Sequence, residues 1–74
     1  MNEIKEFDVV VLTVNLPEHG LRRGEVGSVV QVFAATSKRA EAYLVEFCDK
    51  NGVTYAITPL RAEQVMALYY KEAA

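Results

Sequence analysis

Two glycines three residues apart, Gly24 and Gly27, stand where the run Leu21-Arg22-Arg23-Gly24-Glu25-Val26-Gly27-Ser28-Val29-Val30-Gln31-Val32 becomes rich in valine. A chain that enters a β-branched strand through such a pair must turn and then curve. Gly24 is free to take a positive φ, and Gly27 permits close backbone approach or strong local coiling. That combination predicts a small all-β barrel. It constrains the fold and names no reaction.

The chain is short enough for a single domain over residues 1–74, with its folded core over 5–68. At 74 residues and 51% apolar it has enough Val, Leu, Ile, Phe and Tyr for a core without a covalent staple. A chain of this size hides only about 60–65% of its unfolded surface, so that core must be economical. Cys48 is the single cysteine and cannot form an intrachain disulfide, which favours a reducing, cytoplasmic setting. The N-terminus lacks the basic and cleavage-site pattern of a signal peptide, and apolar runs such as Val9–Leu12 are far too short to cross a bilayer. No membrane partner is expected.

Phe7–Val14 reads as the first strand, and Pro17-Glu18-His19-Gly20 breaks it. Leu21 is expected to pin this excursion back onto the barrel. The second strand spans Glu25 to Phe33, with Val26, Val30 and Val32 sharing one face and Val29 on the other. Ala34–Ala40 reads as a long hairpin loop, with a short helix as the alternative. Strands at Ala42–Cys48 and Val53–Thr58 flank Asp49-Lys50-Asn51-Gly52, whose bulged three-residue turn sets Asp49 opposite Val53. In that register Phe47 faces Tyr55 and Val45 faces Ile57, all on one side, with Leu44, Glu46, Thr54 and Ala56 on the other. Pro59 ends the fourth strand and opens a single helical turn to Val65. Met66–Tyr69 then forms a closing strand, the alternative being one amphipathic helix over Arg61–Glu72. The expected core is Val9, Val11, Leu21, Val26, Val30, Val32, Val45, Phe47, Tyr55, Ile57, Leu60 and Val65.

No residue pattern here demands catalysis, a metal or a cofactor, and none is expected. His19 is the only histidine and reads as an exposed loop residue. Cys48 has no neighbour to lower its thiol pKa and reads as a buried or half-buried structural thiol. The glycines lack the context of a phosphate-binding loop. The net charge of −2 lacks the basic excess of a duplex-binding protein, leaving two basic pairs, Arg22-Arg23 and Lys38-Arg39, as loop charges or as one small nucleic-acid contact patch. Tyr43 and Tyr55 read as core or rim. Leu68, Tyr69 and Tyr70 form a candidate contact surface for another protein or for a second copy in a homodimer, because amphipathic aromatics bury much area at modest entropy cost.

Asp8 to Leu12 followed by Leu16-Pro17-Glu18-His19-Gly20-Leu21 and Gly24-x-x-Gly27-x-Val29-Val30 resembles DUF4926, a family of small bacterial proteins of unknown function. Tyr43-x-Val45-Glu46-Phe47, Asp49-x-x-Gly52-x-Thr54, Leu60 and Glu63-Gln64-Val65 extend the likeness to roughly residues 4–68. The Ala34–Ala42 segment is longer here than in the familiar form. The run Gly24–Val30 is also similar, over a shorter stretch, to the KOW element of SH3-like ribosomal and transcription proteins, where neighbouring basic loops contact RNA or protein. The resemblance implies an SH3-like barrel of four or five strongly bent antiparallel strands, with a short helical turn near the C-terminus. It carries over no catalytic residue. The functional expectation is a non-enzymatic module that binds another protein, in an accessory, inhibitory or immunity-like role. The alternative is weak binding of RNA or single-stranded nucleic acid through Arg22, Arg23, Lys38 and Arg39.

Overall fold

Five segments become strands in a computed structural model that describes residues 3–69: β1 Val9–Leu12, β2 Val26–Phe33, β3 Ala42–Cys48, β4 Thr54–Arg61 and β5 Val65–Ala67. All neighbours pair antiparallel in the order β4-β3-β2-β1-β5. The all-β class and the C-terminal helical turn are as expected. The barrel is not: β4 and β5 remain edges, so the sheet is bent but open. Closure would need a donor-bearing free edge on β4, and that edge is blunted. Pro59 lies inside β4 rather than at its end and has no N–H, while the Arg61 N–H is taken by the Gln64 side chain at 2.8 Å. β5 offers only three residues in return.

One face of the bent sheet collects Val10, Leu12, Val29, Tyr43, Val45, Phe47, Leu60 and Val65, joined by Leu16 and Leu21 from the β1–β2 connection. Gly27 makes the bend possible. A Cβ there would lie 2.7 Å from Val45 Cγ1 and 2.8 Å from the Glu46 carbonyl, so only glycine lets β2 run this close to β3. Gly24 takes φ +98° at the preceding turn, the conformation its position in the sequence calls for.

Several core expectations are overturned, each by a change of face. β1 begins at Val9 rather than Phe7, because Lys5–Asp8 forms a turn with Phe7 at φ +73° and the Asp8 carboxylate accepting the Lys5 N–H at 2.9 Å. Within β1 it is Val10 and Leu12 that face inward, while Val9 and Val11 are half-buried on the outer side. In β2 a bulge at Val30, between the pairs Val29↔Val45 and Gln31↔Leu44, swaps the faces. Val29, on the same face as Gly27, is central and Val26 is exposed, while the bulge leaves Val30 half-buried and returns Val32 to the inner face, where it packs partly buried against the core as expected.

The β3–β4 turn forms as read, with Asp49 N–H donating to the Val53 carbonyl at 2.9 Å. Immediately beyond, Cys48 pairs with Thr54 but Phe47 pairs with Ala56, leaving Tyr55 as an extra residue. Val45 therefore faces Thr58, and Ile57 pairs with Glu46 on the outer face at 56% exposure. Tyr55 is half exposed, although its ring stays 6.4 Å from the Phe47 ring. Cys48 is exposed rather than buried. Thr36 and Arg39 form an isolated bridge in place of a loop helix, and residues 62–64 form a 3₁₀ turn leading into β5 rather than the start of a long helix.

Two tyrosines brace this frame. The Tyr55 hydroxyl donates to Glu25 Oε1 at 2.6 Å, and Glu25 Oε2 accepts the Arg22 N–H at 2.7 Å, tying β4 to the turn before β2. The Tyr55 bond, then the Arg22 bond, holds the Glu25 carboxyl below its ordinary value. The same bond to Glu25, followed by burial, pushes Tyr55 up to about 12. Burial first, then a 2.5 Å bond to Glu41, pushes Tyr43 up to about 12. For both tyrosines the folded value is raised, so their stabilising contribution is complete below the unperturbed value of about 10 and is lost as pH rises through the folded one. Glu25 has the opposite sign: its contribution is present above the unfolded carboxyl value and disappears as pH falls through the lowered one.

In an ultraviolet absorbance titration, Tyr43 and Tyr55 are expected to ionise near pH 12, and Tyr43→Phe or Tyr55→Phe each removes one late step. The face assignment is checked by urea unfolding: Leu12→Ala should cost about 2–5 kcal/mol, and Ile57→Ala less than about 1 kcal/mol.

Candidate functional site

Leu16 and Leu21 close a short loop by exchanging backbone hydrogen bonds, Leu16 N–H to the Leu21 carbonyl at 2.9 Å and Leu21 N–H to the Leu16 carbonyl at 3.1 Å. Both side chains are buried, so the intervening 3₁₀ turn Pro17–His19 is clamped to the core from each side. Pro17 at its first position supplies a preset φ. Glu18 and His19 are thus exposed on a fixed tip.

That tip faces the corner where β4 hands over to the second 3₁₀ turn, Ala62–Gln64. Gln64 reaches back so that its Oε1 accepts the Arg61 N–H at 2.8 Å, one arm of a capping box. Its own carbonyl accepts the Thr13 N–H at 2.9 Å, joining the corner to the end of β1. Between the two turns lies a recess of about 240 Å³, lined by Leu16, Ala42, Pro59 and Leu60 with Glu18, His19, Arg61 and Gln64 as its polar members. Arg61 Nε donates to Glu63 Oε2 at 2.9 Å in an exposed ion pair. Glu63 is held below its ordinary value by its own backbone N–H and then by Arg61. Such a pair is solvent-screened and orients Arg61 more than it stabilises the fold.

The residues expected from the sequence to make contacts lie elsewhere. Arg22 and Arg23 sit at the turn before β2, with their N–H groups bound to Glu25 and Asn15, while Lys38 and Arg39 sit beyond the other end of that strand. The eight residues of β2 lie between the two pairs along the chain. Leu68 continues the β1–β5 ladder, its N–H donating to the Val9 carbonyl at 2.9 Å, and Tyr69 next to it is exposed. Both lie at the opposite end of β5 from Gln64, and Tyr70 falls outside the described residues. His19 is exposed as expected, but its place beside Arg61 and Gln64 was not legible. The sole signal was the run Leu16–Leu21, whose two leucines bracket a proline and a glycine.

Among the described residues no group of three or more His, Cys, Asp and Glu side chains converges as metal ligands would. No helix among them is long and apolar enough to cross a membrane. Cys48 Sγ lies 3.6 Å from Thr54 Oγ1, and Thr54 in turn donates to the Glu46 carboxylate. This group is on β3 and β4 near their turn and contributes nothing to the recess.

No curated protein and no solved structure matches the chain. The model of a domain of unknown function, DUF4926, matches residues 6–67, a span that includes both walls of the recess. The chain belongs to the DUF4926 family.

Proposed function

We propose that this protein is a non-enzymatic module that binds another protein by seating one of its residues in the recess between the Pro17–His19 turn and the β4 corner. The observation that carries the reading is the recess itself. At about 240 Å³ it falls below the roughly 300–1,000 Å³ of sites that engulf a whole small ligand, and it suits a single anchoring residue. A buried apolar floor under a polar rim is the arrangement in which one anchor supplies most of an interface's binding energy. Both walls are held by backbone hydrogen bonds, so little ordering cost is incurred on binding. An accessory or inhibitory role fits a module of this kind, whose effect comes from occupying a partner rather than transforming a substrate.

The test is selection of peptides from a displayed random library on the immobilised protein, followed by amide chemical-shift mapping of the winners. The expected result is a set of peptides that shift His19, Ala42, Leu60 and Gln64. Ala42→Phe, which fills the recess from its β3 wall, should weaken them at least tenfold at unchanged thermal midpoint. Tyr69→Ala should leave them unaffected. Winners that instead shift Leu68 and Tyr69, or Arg22 and Arg23, would contradict the assignment.

A further inference from the structure

Hydrogen-bonding capacity is distributed unevenly around the recess. On the β4 side, Gln64 has its amide orientation fixed, because Oε1 is committed to the Arg61 N–H at 2.8 Å. Its –NH2 group is therefore turned away from that bond, and no hydrogen bond among the described residues uses it. Arg61 commits Nε to Glu63 and leaves its two terminal nitrogens for other partners. This wall offers donors and the Arg61 guanidinium, whose positive charge is shared with Glu63. The opposite wall offers Glu18, an acceptor, beside His19. Apolar Leu16, Ala42, Pro59 and Leu60 lie between.

Resting on the protein-binding reading, we infer that the residue seated here is the C-terminal residue of a partner chain, with a free carboxylate and a short aliphatic side chain. Its carboxylate faces the Arg61 guanidinium and the Gln64 amide, a planar donor set suited to that group. Its side chain rests on Leu16 and Leu60. Its backbone N–H, two bonds from the carboxylate carbon, faces Glu18. An Asp or Glu side chain brings a carboxylate without the apolar group, and an internal aliphatic residue brings the apolar group without a carboxylate. Only a chain terminus, or a free amino acid of the same shape, presents all three within the volume of one residue.

Amide chemical-shift titration of the intact protein separates these cases, using four probes: acetyl-Gly-Ser-Gly-Leu as the free acid, the same peptide as its carboxamide, N-acetyl-leucine, and free leucine. The free-acid peptide should shift His19, Ala42 and Gln64 and saturate, with the carboxamide at least tenfold weaker. Gln64→Glu keeps an oxygen for the Arg61 N–H but replaces the donor with a negative charge. It should abolish free-acid binding at unchanged thermal midpoint, and Arg61→Met should weaken it at least tenfold. Equal binding of acid and carboxamide at the recess would overturn the carboxylate inference while leaving the anchoring reading standing. Tighter binding of free leucine or N-acetyl-leucine than of the peptide would overturn a polypeptide source in favour of a small molecule. No shift at the recess with any probe at millimolar concentration would overturn the inference outright, and the library selection judges the anchoring reading separately.

Discussion

The approach of β2 to β3 at Gly27 is the constraint on which the rest of this molecule depends. The space a side chain would need at that position is occupied by Val45, Phe47 and the Glu46 carbonyl, two of them central core residues and the third backbone. Gly27 also pairs with Val10 of β1, so it lies where the two halves of the sheet meet. With no Cβ in the way, the β1–β5 half turns over the β3–β4 half. Val10 and Leu12 then join Val29, Val45, Phe47 and Leu60 in one cluster. Overpacking at such a point cannot be relieved by one flexible side chain, because a backbone oxygen is among the neighbours.

The bend also creates the recess. Leu12 pairs with Val65, which brings the chain after β1 and the chain before β5 to the same end of the sheet. The Pro17–His19 turn and the Arg61–Gln64 corner are more than forty residues apart in sequence, and each is made rigid by its own short-range bonds. Their meeting leaves a gap over Leu60 that neither fills. Blunting of β4 by Pro59 and by the occupied Arg61 N–H serves a second purpose, since it discourages indiscriminate strand addition beside the recess.

Local chemistry was legible from the residues, and facing only in part: Val45, Phe47, Leu60 and Val65 are buried as read. The Asp49–Gly52 turn, the β3 limits, the role of Gly24 and the burial of Leu21 follow from turn residues and β-branched runs. Parity arguments failed where a strand is not uniform. Val9–Leu12 is apolar at every position and carries no alternation to read. The bulges at Val30 and Tyr55 each insert one residue and exchange faces beyond it, bringing Val32 onto the inner face beside Val29 and placing Ile57 outside. An open edge was likewise invisible, because Pro59 reads equally as a strand terminator or as an edge residue until its neighbours are known. The recess was legible only as the loop Leu16–Leu21. Arg61 and Gln64 look like ordinary polar residues until the fold sets them across from His19.

Urea unfolding of Gly27→Ala tests this account most directly. A loss of about 1–3 kcal/mol or more, with amide shifts in Val10, Val45 and Phe47, is what the close approach requires. Stability within about 0.5 kcal/mol of the parent protein, with those amides unmoved, would show that β2 and β3 have room to spare and that the bend has another origin.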